Sequence, residues 1–304
     1  MRCINAVKVS LFCIWLIPLA GLKNGQLQAE TIRTGYDNQS VLRSNTVQLP
    51  VNYQVDFEQA ASAGGFDKVE WETYGFSKIT YITGAERASI DNQIAHGGSQ
   101  SLRLSFPKSS VGPSQGGHQA AILLEPAEQY LLSYWLKFGE NFSWGDTDHG
   151  GKLPGLAQGQ LCSGGDVCDG SNGFTARYMW RENGAAVLYL YHMDKPHKWG
   201  EDFPLLSENR EPLFFKPGEW VNLVQRVKIN TTDAADGEVQ VWVNGIEALN
   251  LDGLRLVNDG SKIDTFYIST FHGGNTPGWG PLNDSYLWID DIEISFSELQ
   301  TAPR

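Results

Sequence analysis

The chain has 304 residues, enough for one large β-sandwich or two small domains, with ordinary shares of hydrophobic (41%) and charged (19%) residues. Thirty-five acidic residues against 23 basic ones give a formal net charge of −12, which argues against nucleic acid as a partner, because that would call for a basic surface. The 33 glycines, 10 tryptophans, 11 tyrosines and 14 phenylalanines suit strands, turns and an aromatic-lined groove, although any single aromatic side chain is as readily core filling.

Residues 1–29 read as an export signal. Arg2 and Lys8 supply a positive start, Val9 to Leu22 is apolar, and Leu27-Gln28-Ala29 ends in a small residue. The apolar stretch is shorter than the roughly 20 residues of a membrane span, and no second one is long enough, so no stable membrane span is expected. Without this segment the chain keeps 20 basic and 35 acidic residues, a net charge near −15, and of its four cysteines only Cys162 and Cys168. In an exported chain those two read as a disulfide closing a small loop. A metal site is the weaker reading, since no nearby His or Cys pair completes a ligand set.

Residues 30–50 are polar and aperiodic, a linker or N-terminal arm. From residue 51 to 298 strands and turns predominate, with no convincing helix beyond two turns, and no linker interrupts them; residues 299–304 form a tail. Ser101 to Phe106, Val239 to Gly245 and Leu287 to Ile294 alternate or end in turns, as in a β-sandwich. Successive strand residues point to opposite faces. Phe174, Ala176, Tyr178 and Trp180 therefore share one face, and Thr175, Arg177, Met179 and Arg181 the other. In the next strand Leu188 and Leu190 oppose Val187, Tyr189, Tyr191 and Met193. The Asn183-Gly184 turn pairs these strands as a hairpin. Thr175, Arg177, Tyr189 and Tyr191 then share a face opposite the core, as a site for a carboxylated sugar or as plain solvated surface. In Val221 to Asn230, Val221, Leu223, Val227 and Ile229 face the core with Gln225 as an intruder. Asn222, Arg226 and Lys228 face away, into the same groove or into solvent.

Gly150-Gly151-Lys152-Leu153-Pro154-Gly155-Leu156 departs from this pattern. Four of its seven residues are Gly or Pro, so the backbone turns and packs closely around a single Lys. The spacing is not that of a Walker phosphate loop. With the Tyr134-to-Phe138 strand, Gly173 to Trp180, Tyr189-Leu190-Tyr191, Gly218-Glu219-Trp220, Gln225-Arg226-Val227, Val239 to Gly245 and Ile268 to Gly274, this stretch resembles the alginate lyases of polysaccharide lyase family 14 and the related glucuronan lyases of family 20. The resemblance covers roughly residues 51–298. It implies a β-jelly roll with a concave substrate groove. It also implies that Lys152 is the active-site lysine, Arg177 the groove arginine, and Tyr189 and Tyr191 the paired tyrosines. Thr175 stands where Ser is expected, His272 and Gly273 where an aromatic residue and Gly are common, and His118-Gln119 at a groove position.

Polyuronate β-elimination needs the carboxylate neutralised, the C5 proton removed and O4 protonated. Arg177 suits the first task, assisted by Lys152. A tyrosine is a base only if its pKa falls well below about 10, and Lys152 and Arg177 nearby would lower it. Tyr189 is then expected as base and acid in a syn elimination, with Tyr191 orienting the sugar or the two roles exchanged. Thr175, His118, Gln119, Arg226 and His272 are the expected substrate contacts. On so acidic a chain, a polyanionic substrate requires a locally cationic site; salt screens the wider repulsion beyond about 10 Å. No cofactor is required, and calcium is left open. The expectation is a secreted or periplasmic monomer acting on an acidic polysaccharide, mannuronate-rich alginate before glucuronan. A glycoside hydrolase would need paired carboxylates, for which Asp146, Asp148, Asp290 and Asp291 form no recognisable motif. A non-catalytic carbohydrate-binding module would need the aromatics without Lys152.

Overall fold

In Ser101–Phe106, Leu102, Leu104 and Phe106 are fully buried while Arg103 and Ser105 are only partly so; repeated strand after strand, this alternation gives each sheet one face for the core. A computed structural model describes residues 53–60, 64–80 and 87–296. The expected export signal, the arm at 30–50 and the tail at 299–304 lie outside the described residues.

In chain order the strands are β1 (Tyr53–Val55), β2 (Gly64–Gly65), β3 (Phe76–Thr80), β4 (Ala88–Asp91), β5 (Ser101–Phe106), β6 (Gly117–Ala127), β7 (Gln129–Phe138) and β8 (Gly151–Ala157). They continue as β9 (Thr175–Trp180), β10 (Ala186–Tyr191), β11 (Glu201–Pro204), β12 (Trp220–Lys228), β13 (Gly237–Val243), β14 (Ile246–Leu254), β15 (Ile263–His272) and β16 (Ser285–Ser295). Among the described residues nine form one sheet in the order β14-β13-β12-β7-β16-β5-β4-β2, with β1 added on β16. Seven form the other, in the order β11-β10-β9-β8-β15-β6-β3. Neighbours pair antiparallel throughout, and non-consecutive neighbours such as β8-β15-β6 make this a β-jelly roll rather than a meander. Among the described residues the α-helices are short: one at Lys68–Thr73 has six residues, started by an Asp67–Glu70 capping box, and one at Gly112–Gly116 has five. No helix among the described residues is long and apolar enough to cross a membrane.

Aromatic side chains fill the space between the sheets, with Tyr134, Phe138, Phe106, Phe174, Tyr178, Trp180 and Phe266 nearly or fully buried. The strand β8 is the irregular member of the seven-stranded sheet: its register slips between Lys152 and Gly155 against β9, and the β15 register slips over the same stretch. Gly151 and Gly155 allow the close approach there. A Cβ on Gly151 would lie 2.0 Å from the Trp180 ring, and one on Gly155 2.0 Å from the Ala176 carbonyl oxygen. The opposite sheet supplies hydrogen bonds to the irregular stretch. Tyr134 donates its hydroxyl to the Pro154 carbonyl at 3.1 Å, and Gln225 accepts from Leu156 N at 3.0 Å while donating to the Ala176 carbonyl at 3.0 Å. The polar intruder among the apolar positions of β12 is therefore a strut between the sheets, under β8 and β9. Gln225→Leu leaves a buried N–H and C=O without these partners, and we expect a loss of about 2 kcal/mol in urea denaturation.

Candidate active site

The hairpin of β9 and β10 builds one wall of the site. Asn183 takes a positive φ of 56° in the turn, and the register sets Tyr189 opposite Arg177 and Tyr191 opposite Thr175. Beside β9, β8 carries Lys152, and beyond it β15 carries Ser269 and Phe271, with β6 bringing Gln119 opposite Ser269. Gln119, Lys152, Arg177, Arg181, Tyr189 and Tyr191 line one cavity of about 720 Å³ on the outer face of the seven-stranded sheet.

The Lys152 ammonium lies 4.8 Å from the Tyr189 ring centroid and 5.6 Å from that of Phe271. Burial holds its pKa well below the ordinary lysine value, and the nearby positive charges of Arg177 and Arg181 act the same way, against a smaller opposing effect of Asp202. Arg177 is 3% exposed and donates from Nη1 to Ser269 Oγ at 3.1 Å, where Gln119 Nε2 also donates at 3.1 Å. Arg181 forms a two-pronged pair with Asp202, both contacts at 2.7 Å, above the Tyr189 ring. Two guanidinium groups and the Lys152 amine thus meet on one face of an acidic chain, and Asp202 offsets the charge of Arg181.

The tyrosines are held by backbone amides. Gly200 N–H donates to the Tyr189 hydroxyl at 3.1 Å and Gly165 N–H to the Tyr191 hydroxyl at 3.0 Å. Their rings meet edge to face with centroids 5.5 Å apart. The expected depression of the Tyr189 pKa does not occur. Burial raises it well above the ordinary phenol value, neighbouring Tyr191 raises it further, and the Gly200 N–H and Arg177 offset only part of this. Desolvation of the phenolate wins because the ring is packed under protein while the compensating charge is few-sided.

Three expected substrate contacts lie elsewhere, and a fourth, Thr175, is covered. Arg226 is on β12 in the other sheet, tied to Glu238 (2.9 Å), Gln240 (2.7 Å) and Gln129 (2.9 Å); its cationic face is not that of the groove. His118 precedes groove-lining Gln119 on one strand, so the pleat turns it into the core against Phe106. His272 follows groove-facing Phe271 and is turned inward likewise. It packs on Trp180 and Phe142 and donates from Nδ1 to the Trp279 carbonyl at 3.1 Å. Burial pushes His118 down to about 3 and His272 to about 4, so both imidazoles are neutral. Thr175 is on the groove side of β9 but fully buried, because its hydroxyl donates to the Cys162 carbonyl at 3.0 Å and anchors the loop above it. Ser269, Phe271, Arg181 and Asp202 were not singled out as site residues. Alternation already put Arg181 on the Arg177 face, and Ser269 and Phe271 lie in the Ile268-to-Gly274 stretch that carries the resemblance; nothing in the local sequence marked Asp202.

Cys162 and Cys168 form a disulfide, and the loop it closes carries Gly165 to Tyr191. Replacing both cysteines by serine should lower stability by about 2 kcal/mol in thermal unfolding. Gly273 makes room for the lysine, since a Cβ there would lie 3.2 Å from Lys152 Nζ. Gly273→Ala should shift the ammonium by a few tenths of an ångström, lowering kcat about three- to tenfold without changing the thermal midpoint. Among the described residues no group of three or more His, Cys, Asp or Glu side chains is arranged to hold a metal ion.

The model of the family described as polysaccharide lyase 14 matches residues 95–292, a span that holds Lys152, Arg177, Tyr189 and Tyr191. The chain belongs to polysaccharide lyase family 14. It is a polysaccharide lyase, and its fold is that of solved lyases. The alginate lyase Aly36B is 24% identical, covering 82% of this chain and 98% of its own, with a TM-score of 0.68. The marine alginate lyase from Aplysia kurodai is 22% identical, covering 82% and 100%, with a TM-score of 0.65. The endo-β-1,4-glucuronan lyase from the fungus Trichoderma reesei is 11% identical, covering 82% and 96%, with a TM-score of 0.50. No curated protein sequence matches the chain. In this family 14 lyase the groove is the outer face of β10, β9, β8, β15 and β6.

Proposed function

We propose that this lyase cleaves a 1,4-linked polyuronate by syn β-elimination, with mannuronate-rich alginate as the favoured substrate and glucuronan as the alternative. The observation that carries the reading is the meeting of Arg177, Lys152 and Tyr189 on one groove face. The family and the alginate lyases among similar structures support the substrate. Arg177 pairs the uronate carboxylate, which acidifies C5–H. The amine of Lys152, its proton affinity reduced by burial, accepts the C5 proton. The C5 electron pair forms the C4=C5 bond as the C4–O4 bond breaks, and the Tyr189 phenol donates its proton to O4. Lys152 lies over the Tyr189 ring, so base and acid act from one side of the sugar. Mannuronate and glucuronate carry C5–H and O4 in that relation; guluronate does not. This division of labour replaces the expectation of Tyr189 in both roles, because a phenol with a raised pKa is a better donor than acceptor at neutral pH. Tyr191, fixed by Gly165 N–H, orients the sugar. The elimination involves no electron transfer, so no redox cofactor enters it. The apolar segment near the N-terminus and the disulfide support export to the periplasm or medium, where the protein acts as a monomer.

The test offers mannuronate-rich alginate, guluronate-rich alginate and glucuronan separately and follows the ultraviolet absorbance of the new C4–C5 double bond. A rise on the mannuronate polymer or on glucuronan, with little on the guluronate polymer, is the expected result. A rise confined to guluronate would overturn the syn geometry.

A further inference from the structure

Two loops beside the tyrosine pair supply no side chain to the proton transfers. One is closed by Cys162 and Cys168; the other joins β10 to β11 and carries Lys195, Lys198 and Trp199. They pack on each other. A Cβ on Gly165 would lie 2.9 Å from the Trp199 ring and 2.9 Å from Lys198 Cε. Despite that contact Trp199 is 53% exposed, and it lines the same cavity as Lys152 and Tyr189. An indole exposed on a cavity wall offers a flat apolar face, with a polar N–H at its edge, to whatever enters the cavity. The two lysines differ. Lys195 donates to the carbonyls of His197 (3.0 Å) and Lys198 (2.8 Å) and lies over the Tyr191 ring. Lys198 lies 5.1 Å from the Trp199 ring centroid, and no carboxylate pairs with it among the described residues.

A flat indole and an unpaired ammonium therefore stand side by side on a wall braced by a disulfide. A pyranose offers an apolar face of C–H bonds that stacks on such a ring, and a uronate adds a carboxylate at its edge. We infer that Trp199 and Lys198 form a binding subsite for a further uronate residue of the polymer, beyond the one that reacts at Lys152. This rests on the polyuronate reading above. Such a contact lies away from the bond that breaks, so it acts on substrate binding more than on the chemical step.

The test compares kcat and KM of wild type, Trp199→Ala, Trp199→Phe and Lys198→Gln on polymannuronate and on size-defined mannuronate oligosaccharides. Trp199→Ala should raise KM on the polymer about tenfold, equivalent to about 1.4 kcal/mol, with kcat within about twofold. The change should shrink on the shortest oligosaccharide cleaved, and Trp199→Phe should recover most of the loss. Lys198→Gln should raise KM severalfold at low salt, with the difference fading as salt is added. A fall in kcat at unchanged KM, an equal KM change at every chain length, or no change would each overturn the subsite. If the wild-type protein cleaves none of the polyuronates, the lyase reading on these polymers fails separately. Calorimetric titration with polymannuronate then decides the subsite: about tenfold weaker binding by Trp199→Ala supports it, and equal binding or no binding by wild type overturns it.

Discussion

Lys152→Ala should lower kcat on the cleaved polyuronate by about 10²–10⁴-fold, the range of a lost general base, while the thermal midpoint changes little. The substitution removes a side chain that reaches the cavity and leaves the irregular backbone of β8 braced by Tyr134 and Gln225. Lys152→Arg separates two roles of the lysine. A guanidinium carries the positive charge a protonated lysine would have but cannot give up a proton in the working range. If Lys152 is the base, the arginine variant is as inactive as the alanine variant. Substantial recovery by arginine would reduce Lys152 to a charge and return the base role to a tyrosine. The pH profile reports the same choice. A lysine base must be unprotonated, so activity falls as pH drops through the Lys152 pKa, which burial has moved below the ordinary value. Tyr189 as acid must be protonated and stays so through the neutral range, since its pKa is raised. The expected profile is an acid limb followed by a plateau. A profile that keeps climbing beyond pH of about 10, the ordinary phenol value, would mark a phenolate base instead.

Tyr189→Phe carries the second large effect, again about 10²–10⁴-fold in kcat. The ring remains under Lys152, so its packing persists and only the hydroxyl is lost. Gly200 N–H loses its acceptor, a cost of about 1 kcal/mol in stability that urea denaturation can measure. The informative comparison is with Tyr191→Phe. Tyr191 accepts from Gly165 N–H and on the proposed reading orients the sugar, so its loss should raise KM with a smaller drop in kcat. If the two variants exchange these signatures, the tyrosine roles are exchanged as well.

Much of this lyase was legible along the chain because strand alternation is a local rule. Thr175 and Arg177 share a face because residues two apart must, and the Asn183-Gly184 turn pairs their strand with Tyr189 and Tyr191. The same rule could have separated His118 from Gln119, neighbours on one strand that cannot both enter a groove. Lys152 stood out because Gly and Pro crowd around it, and the structure gives the cause in the close approach of Trp180 and the β9 backbone.

What the chain could not reveal by itself was how strands distant in sequence are shared between the sheets. Arg226 and Arg177 look alike in pattern, each a cation on a strand face away from the core. Only the strand order separates them, placing β12 in the nine-stranded sheet and β9 in the other. The tertiary structure also decided the protonation pattern of the site. The Tyr189 pKa depends on how much water the fold removes as well as on which cations it brings near, and burial outweighs the charges. The sequence determined the candidate groups and their faces, because those follow from bonded geometry over a few residues. The fold alone decided which of those faces became a groove and how much water remains around each group, because both arise from contacts between strands far apart in the chain.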